Sequence, residues 1–81
     1  MNVDKMKELI ETIVKPLVDH PEEVSIIETT DERNITYLLS VNREDIGKII
    51  GKQGRVIKAI RTVVYAAGTS HNKRIHLEIN E

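Results

Sequence analysis

The sequence contains no cysteine, phenylalanine or tryptophan, and only two prolines among 81 residues. Without cysteine it has neither a disulfide scaffold nor a thiolate nucleophile or metal ligand. Its uninterrupted hydrophobic runs are far shorter than the roughly 20 residues of a transmembrane helix. Three acidic residues in the first eleven positions, Asp4, Glu8 and Glu11, do not fit a secretory signal peptide. We therefore expect a cytoplasmic protein that has no membrane partner.

A hydrophobic content of 40% in 81 residues is enough for one small core and too little for two. Hydrophobic periodicity predicts the secondary structure of this single domain, residues 1–81. A hairpin turn centred between residues 32 and 33 places Ile26 opposite Leu39 and Ile27 opposite Leu38. The predicted elements are a helix at 3–18 with Asn2 as N-cap and a kink at Pro16, strands at 24–30 and 34–41, helices at 43–50 (N-cap Asn42) and 55–67 (ended by Gly68), and a strand at 74–80. The fold class is therefore α+β, in the order α-β-β-α-α-β.

Charge is distributed unevenly along the chain. Residues 1–42 hold nine acids and four bases, a net −5, and residues 43–81 hold eight bases and four acids, a net +4, which together give the overall −1. The stretch GKIIGKQGRVIKAIR, residues 47–61, contains five bases, three glycines and no acid. A local basic surface of this kind suits an anionic ligand even when the whole chain is slightly acidic.

The tetrapeptide GKQG lies between the two central predicted helices. Gly51 and Gly54 lack a Cβ, so they can adopt positive φ and let a ligand approach the backbone closely. The first N–H groups of the following helix point toward the same place and carry partial positive charge. Lys52 adds a full charge at the tip, and Arg55 and Lys58 continue it along the exposed helix face. This pattern predicts a turn that binds phosphate.

The segment IIGKQGRVIKAIR resembles the signature of the KH domain, a hydrophobic pair followed by a GXXG loop between two helices and then a further hydrophobic residue. The element order resembles the type II arrangement, and IVKPLVDHPEEV and IRTVVYAAG resemble the KhpA family of small bacterial RNA-binding proteins over essentially the whole chain. This resemblance implies a three-stranded sheet with three helices packed on one face. It also implies a groove for about four unpaired nucleotides, between the GXXG loop at 51–54 and a variable loop at 68–73.

Carried over to this sequence, the resemblance gives candidate RNA-binding residues in three groups. The sugar-phosphate backbone would be held by Gly51, Lys52, Gln53 and Gly54, with Arg55 and Lys58 beside them. The groove wall beneath the bases would be formed by Gly47, Ile50 and Ile57. The far rim would be closed by Lys73 and Arg74. Arg61 is furthest from the loop, and we interpret it as part of a solvated helix face.

Two other functional classes are alternatives to RNA binding. An enzyme is disfavoured because a Walker loop would need glycine where Lys52 stands, and because no nucleophile-base motif is present. The three histidines lack the spacing of metal ligands, so we expect no metal, cofactor or small-molecule substrate. The stronger alternative is a KH-fold module for protein contacts, indicated by Ile27 and Leu38, which are predicted to form a small hydrophobic patch on the outer sheet face.

The resemblance also implies partners and a cellular role. It implies binding of single-stranded RNA with low sequence specificity, self-association as a homodimer, and pairing with a larger KhpB (Jag)-type KH protein. The role implied is post-transcriptional regulation, as an RNA chaperone connected with cell growth, division and cell shape.

Overall fold

The computed structural model describes residues 3–68 and 72–80. Its helices and strands are α1 (Val3–Val14), β1 (Ser25–Thr30), β2 (Asn34–Ser40), α2 (Ile46–Ile50), α3 (Arg55–Ala67) and β3 (Arg74–Ile79). The predicted α+β class and element order are therefore confirmed. The proposed cap Asn2 and variable-loop residues 69–71 lie outside the described residues.

Helix α1 ends four residues earlier than predicted. Its last residue is Val14, and the chain continues as a 3₁₀ turn over Lys15–Leu17. Pro16 has no N–H to continue the α-helical hydrogen bonds, and its ring clashes with the carbonyl four residues earlier. The predicted kink is thus a change of helix type.

The three strands form one mixed sheet in the order β1-β2-β3. Strands β1 and β2 are antiparallel, and the predicted pairs Ile26–Leu39 and Ile27–Leu38 are confirmed. Strand β3 is parallel to β2, so the connection between them must cross over one face of the sheet, and α2 and α3 make this crossover. The sheet therefore has one face covered by helices and one open face.

The core lies between the covered face of the sheet and the three helices. Strand side chains on this face alternate with exposed ones, as the period of two requires. Its buried hydrophobic residues are Met6, Ile10 and Val14 of α1, Val18, Ile35, Tyr37 and Leu39 of β2, Ile49 of α2, Ile57, Ile60 and Val64 of α3, and Leu77 of β3. On the open face, Ile27 is 54% exposed and lies beside Leu38.

The end of α3 at Gly68 is explained by steric contact with β3. Its φ is −90°, outside the left-handed region, and its N–H donates to the carbonyls of Val64 and Tyr65. A Cβ built on Gly68 would lie 2.6 Å from Cγ1 of Ile75. The residue is glycine because the start of β3 packs directly against the end of α3.

A buried carboxylate joins the loop after α1 to the start of α2. Asp45 is fully buried, and its Oδ1 and Oδ2 accept hydrogen bonds of 3.0 Å from the backbone N–H groups of Asp19 and His20. Burial alone would raise the pKa of Asp45, but these hydrogen bonds and the nearby His20 and Lys48 lower it below its ordinary value. The carboxylate thus holds together two segments 25 and 26 residues apart.

His20 is surrounded by acidic side chains at the same junction. Its ring nitrogens lie 3.3 Å from a carboxylate oxygen of Glu44, 3.7 Å from one of Glu22 and 3.8 Å from one of Glu23. The contact with Glu44 is the main cause of a pKa of His20 raised above its ordinary value, and Asp45, Glu23 and Glu22 add to it. Protonation of His20 therefore strengthens the contact between this loop and the start of α2.

The turn between α2 and α3 brings the backbone of Gly51 against the first turn of α3. Gly51 and Gly54 have φ of 74° and 73°, which confirms the positive φ expected for both, and Gln53 also has a positive φ of 56°. A Cβ on Gly51 would lie 2.4 Å from Cγ2 of Val56 and 3.0 Å from its backbone nitrogen. Gly51 is therefore required by both conformation and space.

Stability should depend on pH through His20. Because the pKa of His20 is higher in the folded state, its contribution is complete below the unfolded value near 6.5 and is lost as pH rises through the folded value. Wild type should exceed His20→Gln in Tm by the largest margin at pH 5.5, and the margin should shrink by pH 8. A margin that stayed constant or grew with pH would contradict this assignment.

Gly51→Ala should destabilise the protein by about 2 kcal/mol or more. Alanine is strained at this positive φ, and its methyl group would also overlap with Val56. Gly47→Ala is the matched control, since nothing lies within 4 Å of a Cβ at Gly47 and alanine favours a helix by up to about 1 kcal/mol. Urea unfolding monitored by far-UV circular dichroism measures both. Equal midpoints for the two variants would show that the turn is less tightly packed than described.

Candidate nucleic-acid interface

The loop between α2 and α3 presents polar side chains beside an uncapped helix end. Lys52 and Gln53 are exposed at its tip. Gly54 is the N-cap of α3 and makes no side-chain cap, but the N–H of Arg55 donates to the carbonyl of Lys52 and that of Gly54 to the carbonyl of Gly51. What the loop offers an anion is therefore the positive end of the α3 dipole beside the exposed Lys52.

The five bases of residues 47–61 are not equivalent in the folded chain. Lys48 is bound to the carboxylate of Asp19 and lies 3.7 Å from that of Asp45. Its charge is therefore balanced within the protein. Lys52, Arg55 and Lys58 are exposed, and within the described part of the chain none of the three is in an ion pair. These three cations account for the positive surface around the loop.

A cleft of about 350 Å³ opens between α2, α3 and β3. It is lined by Ile50, Ile57, Arg61, Glu78 and Ile79. The two isoleucines predicted to form the groove wall are thus brought together in one cleft. Gly47 lies one turn before Ile50 on α2 and is exposed, although it does not line this cleft.

Three residues of the cleft were missed by the sequence analysis. Arg61 lies one turn after Ile57 on α3, so the i, i+4 spacing from a predicted wall residue was the signal for it. Its Nε donates a 3.1 Å hydrogen bond to the carbonyl of Leu77, so it packs against β3 as well as facing solvent. Glu78 and Ile79 join the site through the position of β3 at the sheet edge, for which the local sequence carries no signal.

Arg55 and Arg61 lie on different sides of α3. Arg55 lines a second, almost wholly apolar cleft of about 450 Å³ between α1 and α3, whose other lining residues are Leu9, Ile13, Leu17, Val56, Ala59, Ile60 and Val63. Leu17 is 41% exposed and Val63 is 46% exposed. The bases of α3 are therefore divided between two sides of the helix, and Arg55 lies between the loop and a hydrophobic surface.

Lys73 and Arg74 lie at the other end of β3. Arg74 is exposed and lines a separate cleft of about 510 Å³ with Glu32, Arg33, Asn34 and Asn72, and Lys73 is half-buried. Arg74 and Ile79 are the first and last residues of β3, five steps of strand apart, or roughly 17 Å. The structure does not bring these two residues into the cleft of Ile50 and Ile57, and their place at the far rim stays a prediction.

Other features of the described residues bear on function. His20, Glu22 and Glu23 place potential ligand atoms within 4.8 Å of one another, a group that the sequence spacing did not predict. Since His20 already contacts Glu44 and the loop is held to α2, we assign the group a structural role.

In the described part of the chain, no helix combines the length and hydrophobicity needed to cross a membrane.

Comparison with known proteins gives close relatives over almost the whole chain. The RNA-binding protein KhpA of Listeria monocytogenes is 59% identical over 76 residues, which are 94% of this chain and 100% of the relative. The RNA-binding protein KhpA of Clostridium acetobutylicum is 57% identical over 91% of this chain and 99% of its own. That of Bacillus subtilis is 47% identical over 98% of both chains.

Among solved structures, a similar fold is found in a crystal structure of Era in complex with MgGDPNP and nucleotides 1506–1542 of 16S ribosomal RNA. The TM-score is 0.66 at 19% sequence identity, over 91% of this chain and 28% of the other. This chain thus corresponds to less than a third of that protein, and the similarity concerns the fold alone.

The family described as KhpA/KhpB, KH domain matches residues 7–79. This match spans every described strand, α2, α3 and most of α1, and it includes the GXXG loop, as the resemblance of the sequence led us to expect. The chain belongs to the KhpA/KhpB family of KH-domain proteins.

Proposed function

We propose that this protein binds single-stranded RNA with low sequence specificity. The observation that carries the proposal is that the cleft between α2, α3 and β3, with Ile50 and Ile57 in its lining, lies next to the GXXG loop and the start of α3. The names of the relatives, each an RNA-binding protein KhpA, support it. A binding role is also favoured over catalysis because these relatives are named for RNA binding and not for an enzymatic activity.

In this proposal the loop holds the RNA backbone and the cleft holds the bases. A phosphate next to Gly51 and Gly54 would lie at the positive end of the α3 dipole, with Lys52 and Lys58 adding charge. Unstacked bases would lie on Ile50 and Ile57. Duplex RNA does not expose its base faces to such a cleft. Few phosphates are contacted and no aromatic platform is offered by the described cleft, so binding should be weak and dependent on salt.

The protein is further proposed to form a homodimer through the apolar cleft between α1 and α3. Leu17 and Val63 expose large hydrophobic side chains there, and the lining is almost free of polar atoms. A two-fold axis would place this surface against its own copy and remove both from water. Two linked RNA grooves would also gain avidity over a single weak one.

A KhpB (Jag)-type KH protein is the second partner in this proposal. The family that matches the chain includes the KH domains of both KhpA and KhpB. Domains of one family can present similar packing surfaces, so a mixed pair could use the cleft that the homodimer uses. The cellular role would be post-transcriptional regulation in the cytoplasm, including the RNA chaperone and cell-shape functions implied by the family.

Replacing Lys52 and Gln53 together with Asp should abolish most RNA binding and leave the fold intact. Both side chains are exposed, and aspartate is among the residues that tolerate the positive φ of Gln53. Fluorescence anisotropy with a labelled 12-nucleotide single-stranded RNA measures the affinity. Wild type should show a log-log salt slope of about −2, from about three phosphate contacts at −0.7 each.

The control is Lys7→Asp with Thr12→Asp on α1, which makes the same change in charge away from the loop and should retain most of the affinity. Thermal unfolding of both variants checks the fold. Wild-type affinity in the loop variant would remove the basis of the proposed function.

Val63→Asp should convert a dimer into a monomer, because a carboxylate would be buried without a partner in the interface. Wild type should sediment as a species of about 18 kDa, twice the 9.2 kDa of the chain. Ile27→Asp is the control, since Ile27 is equally available for substitution at 54% exposure but lies on the open sheet face. If Ile27→Asp alone dissociated the dimer, the sheet face would be the interface.

A further inference from the structure

A polar cleft of about 510 Å³ lies between the β1–β2 turn and the start of β3. The described residues that line it are all polar or charged, and two of them are the arginines Arg33 and Arg74. We propose that this cleft is a second anion site, in which both guanidinium groups bind one backbone phosphate of a single-stranded RNA that extends beyond the cleft of Ile50 and Ile57. The inference rests on the proposed function and adds a contact outside that cleft.

The backbone holds the two arginines next to each other, although one lies in the hairpin turn and the other in the last strand. The N–H of Arg74 donates a 2.9 Å hydrogen bond to the carbonyl of Arg33. Arg74 also pairs with Asn34 in the parallel ladder of β2 and β3, so this junction is part of the sheet. Their side chains therefore start from adjacent, fixed positions. The sequence analysis did not assign Arg33 to any site.

Asp31, an acid of the same turn, is engaged with backbone donors. Its Oδ1 accepts hydrogen bonds of 2.8 Å and 2.7 Å from the N–H groups of Arg33 and Asn34. The bond from Arg33 is the main cause of a pKa of Asp31 below its ordinary value, followed by that from Asn34, and the charge of Lys73 adds to the effect. Among the described residues, the Asp31 carboxylate thus fixes the turn without pairing with either guanidinium group.

The two guanidinium groups have no counterion in the described structure. Within residues 3–68 and 72–80, the side chains of Arg33 and Arg74 form neither an ion pair nor a hydrogen bond, and both are exposed. Glu32 lines the same cleft, but its carboxylate is not in an ion pair with either of them. Two like charges held close together repel each other. A bound anion would replace this repulsion with attraction.

Phosphate is the anion that suits two guanidinium groups. Each guanidinium is a planar fork of donors that can bind phosphate oxygens through two parallel hydrogen bonds. We assign the phosphate to RNA because β3 borders both clefts. Arg74 is its first residue, and Ile79, its last, lines the cleft of Ile50 and Ile57. A strand that leaves that cleft along β3 reaches the arginines after roughly 17 Å.

Arg33→Gln combined with Arg74→Gln should weaken binding of a labelled 12-nucleotide single-stranded RNA about fivefold. Binding of a 4-nucleotide RNA should be unchanged, because four nucleotides fill only the groove beside the loop. A site that takes only free phosphate ions would not produce this dependence on length. One of the three phosphate contacts expected for the longer RNA is assigned to this site, so its log-log salt slope should change from about −2 to about −1.4. Fluorescence anisotropy measures both quantities.

Glu32→Gln should have the opposite effect. It removes a carboxylate from the cleft, so affinity for the 12-nucleotide RNA should rise about twofold, and affinity for the 4-nucleotide RNA should stay the same. A gain of this kind would not follow if the cleft served only the fold.

Each variant has a matched control at exposed residues that line none of the three clefts described. Arg43→Gln with Lys15→Gln removes two positive charges, and Glu8→Gln removes one negative charge. Both controls should bind the two RNAs about as wild type does. Thermal unfolding of every variant checks that the fold is retained.

An unchanged affinity of the double arginine variant for the 12-nucleotide RNA, an equal loss for both RNAs, or the same loss in the Arg43 and Lys15 control would overturn the inference. Its failure is distinct from failure of the proposed function. In the first case the substitution of Lys52 and Gln53 still weakens binding of both RNAs, and in the second case it does not.

Discussion

The contact between Gly51 and Val56 is the constraint on which the clefts on both sides of α3 depend. A side chain on Gly51 would overlap with Val56, so the chain can reverse direction between α2 and α3 only where it has no Cβ. This close approach fixes the first turn of α3. Ile57 then points into the cleft with Ile50, while Val56 itself lines the apolar cleft beside α1. One steric requirement thus positions the cleft of Ile50 and Ile57 on one side of α3 and the hydrophobic surface on the other.

The start of α2 is fixed by a different kind of interaction. Asp45 is a fully buried carboxylate, which is costly unless hydrogen bonds and opposite charge compensate for the lost water. Two backbone N–H groups and Lys48 supply this compensation. Since Lys48 is engaged in this way, a base in the most positive stretch of the sequence serves the fold. The local charge available to a ligand is smaller than the sequence indicates.

Local sequence predicted much of the fold. Alternation in β1 and β2, together with a short turn, was sufficient to place Ile26 opposite Leu39, because a slip of one residue would expose the hydrophobic side chains. The two glycines of the loop were recognisable because only glycine combines positive φ with close approach. The end of α1 was misplaced, since the effect of Pro16 on a helix depends on whether the next turn can still pack as 3₁₀.

Features that join distant segments could not be read from the sequence. The bonds from the backbone of Asp19 and His20 to Asp45 are formed by groups that every residue possesses, so no residue type signals them. Ile79 lines the cleft because β3 pairs in parallel with β2 at the edge of the sheet, which is a property of the topology. Arg61 was assigned to solvent because its partner, the carbonyl of Leu77, is likewise a backbone group.

The parallel pairing of β2 with β3 has a consequence for the order of assembly. Asn34 pairs with Arg74 and Leu39 with Ile79, so each pair spans about half of the chain, and closing such long loops slows folding relative to local contacts. Domains are synthesised from the amino terminus, and β3 follows every other described element. Helices α1 to α3 and the hairpin can emerge from the ribosome before the last wall of the groove exists. The cleft between α2, α3 and β3 is therefore completed only after β3 has been synthesised.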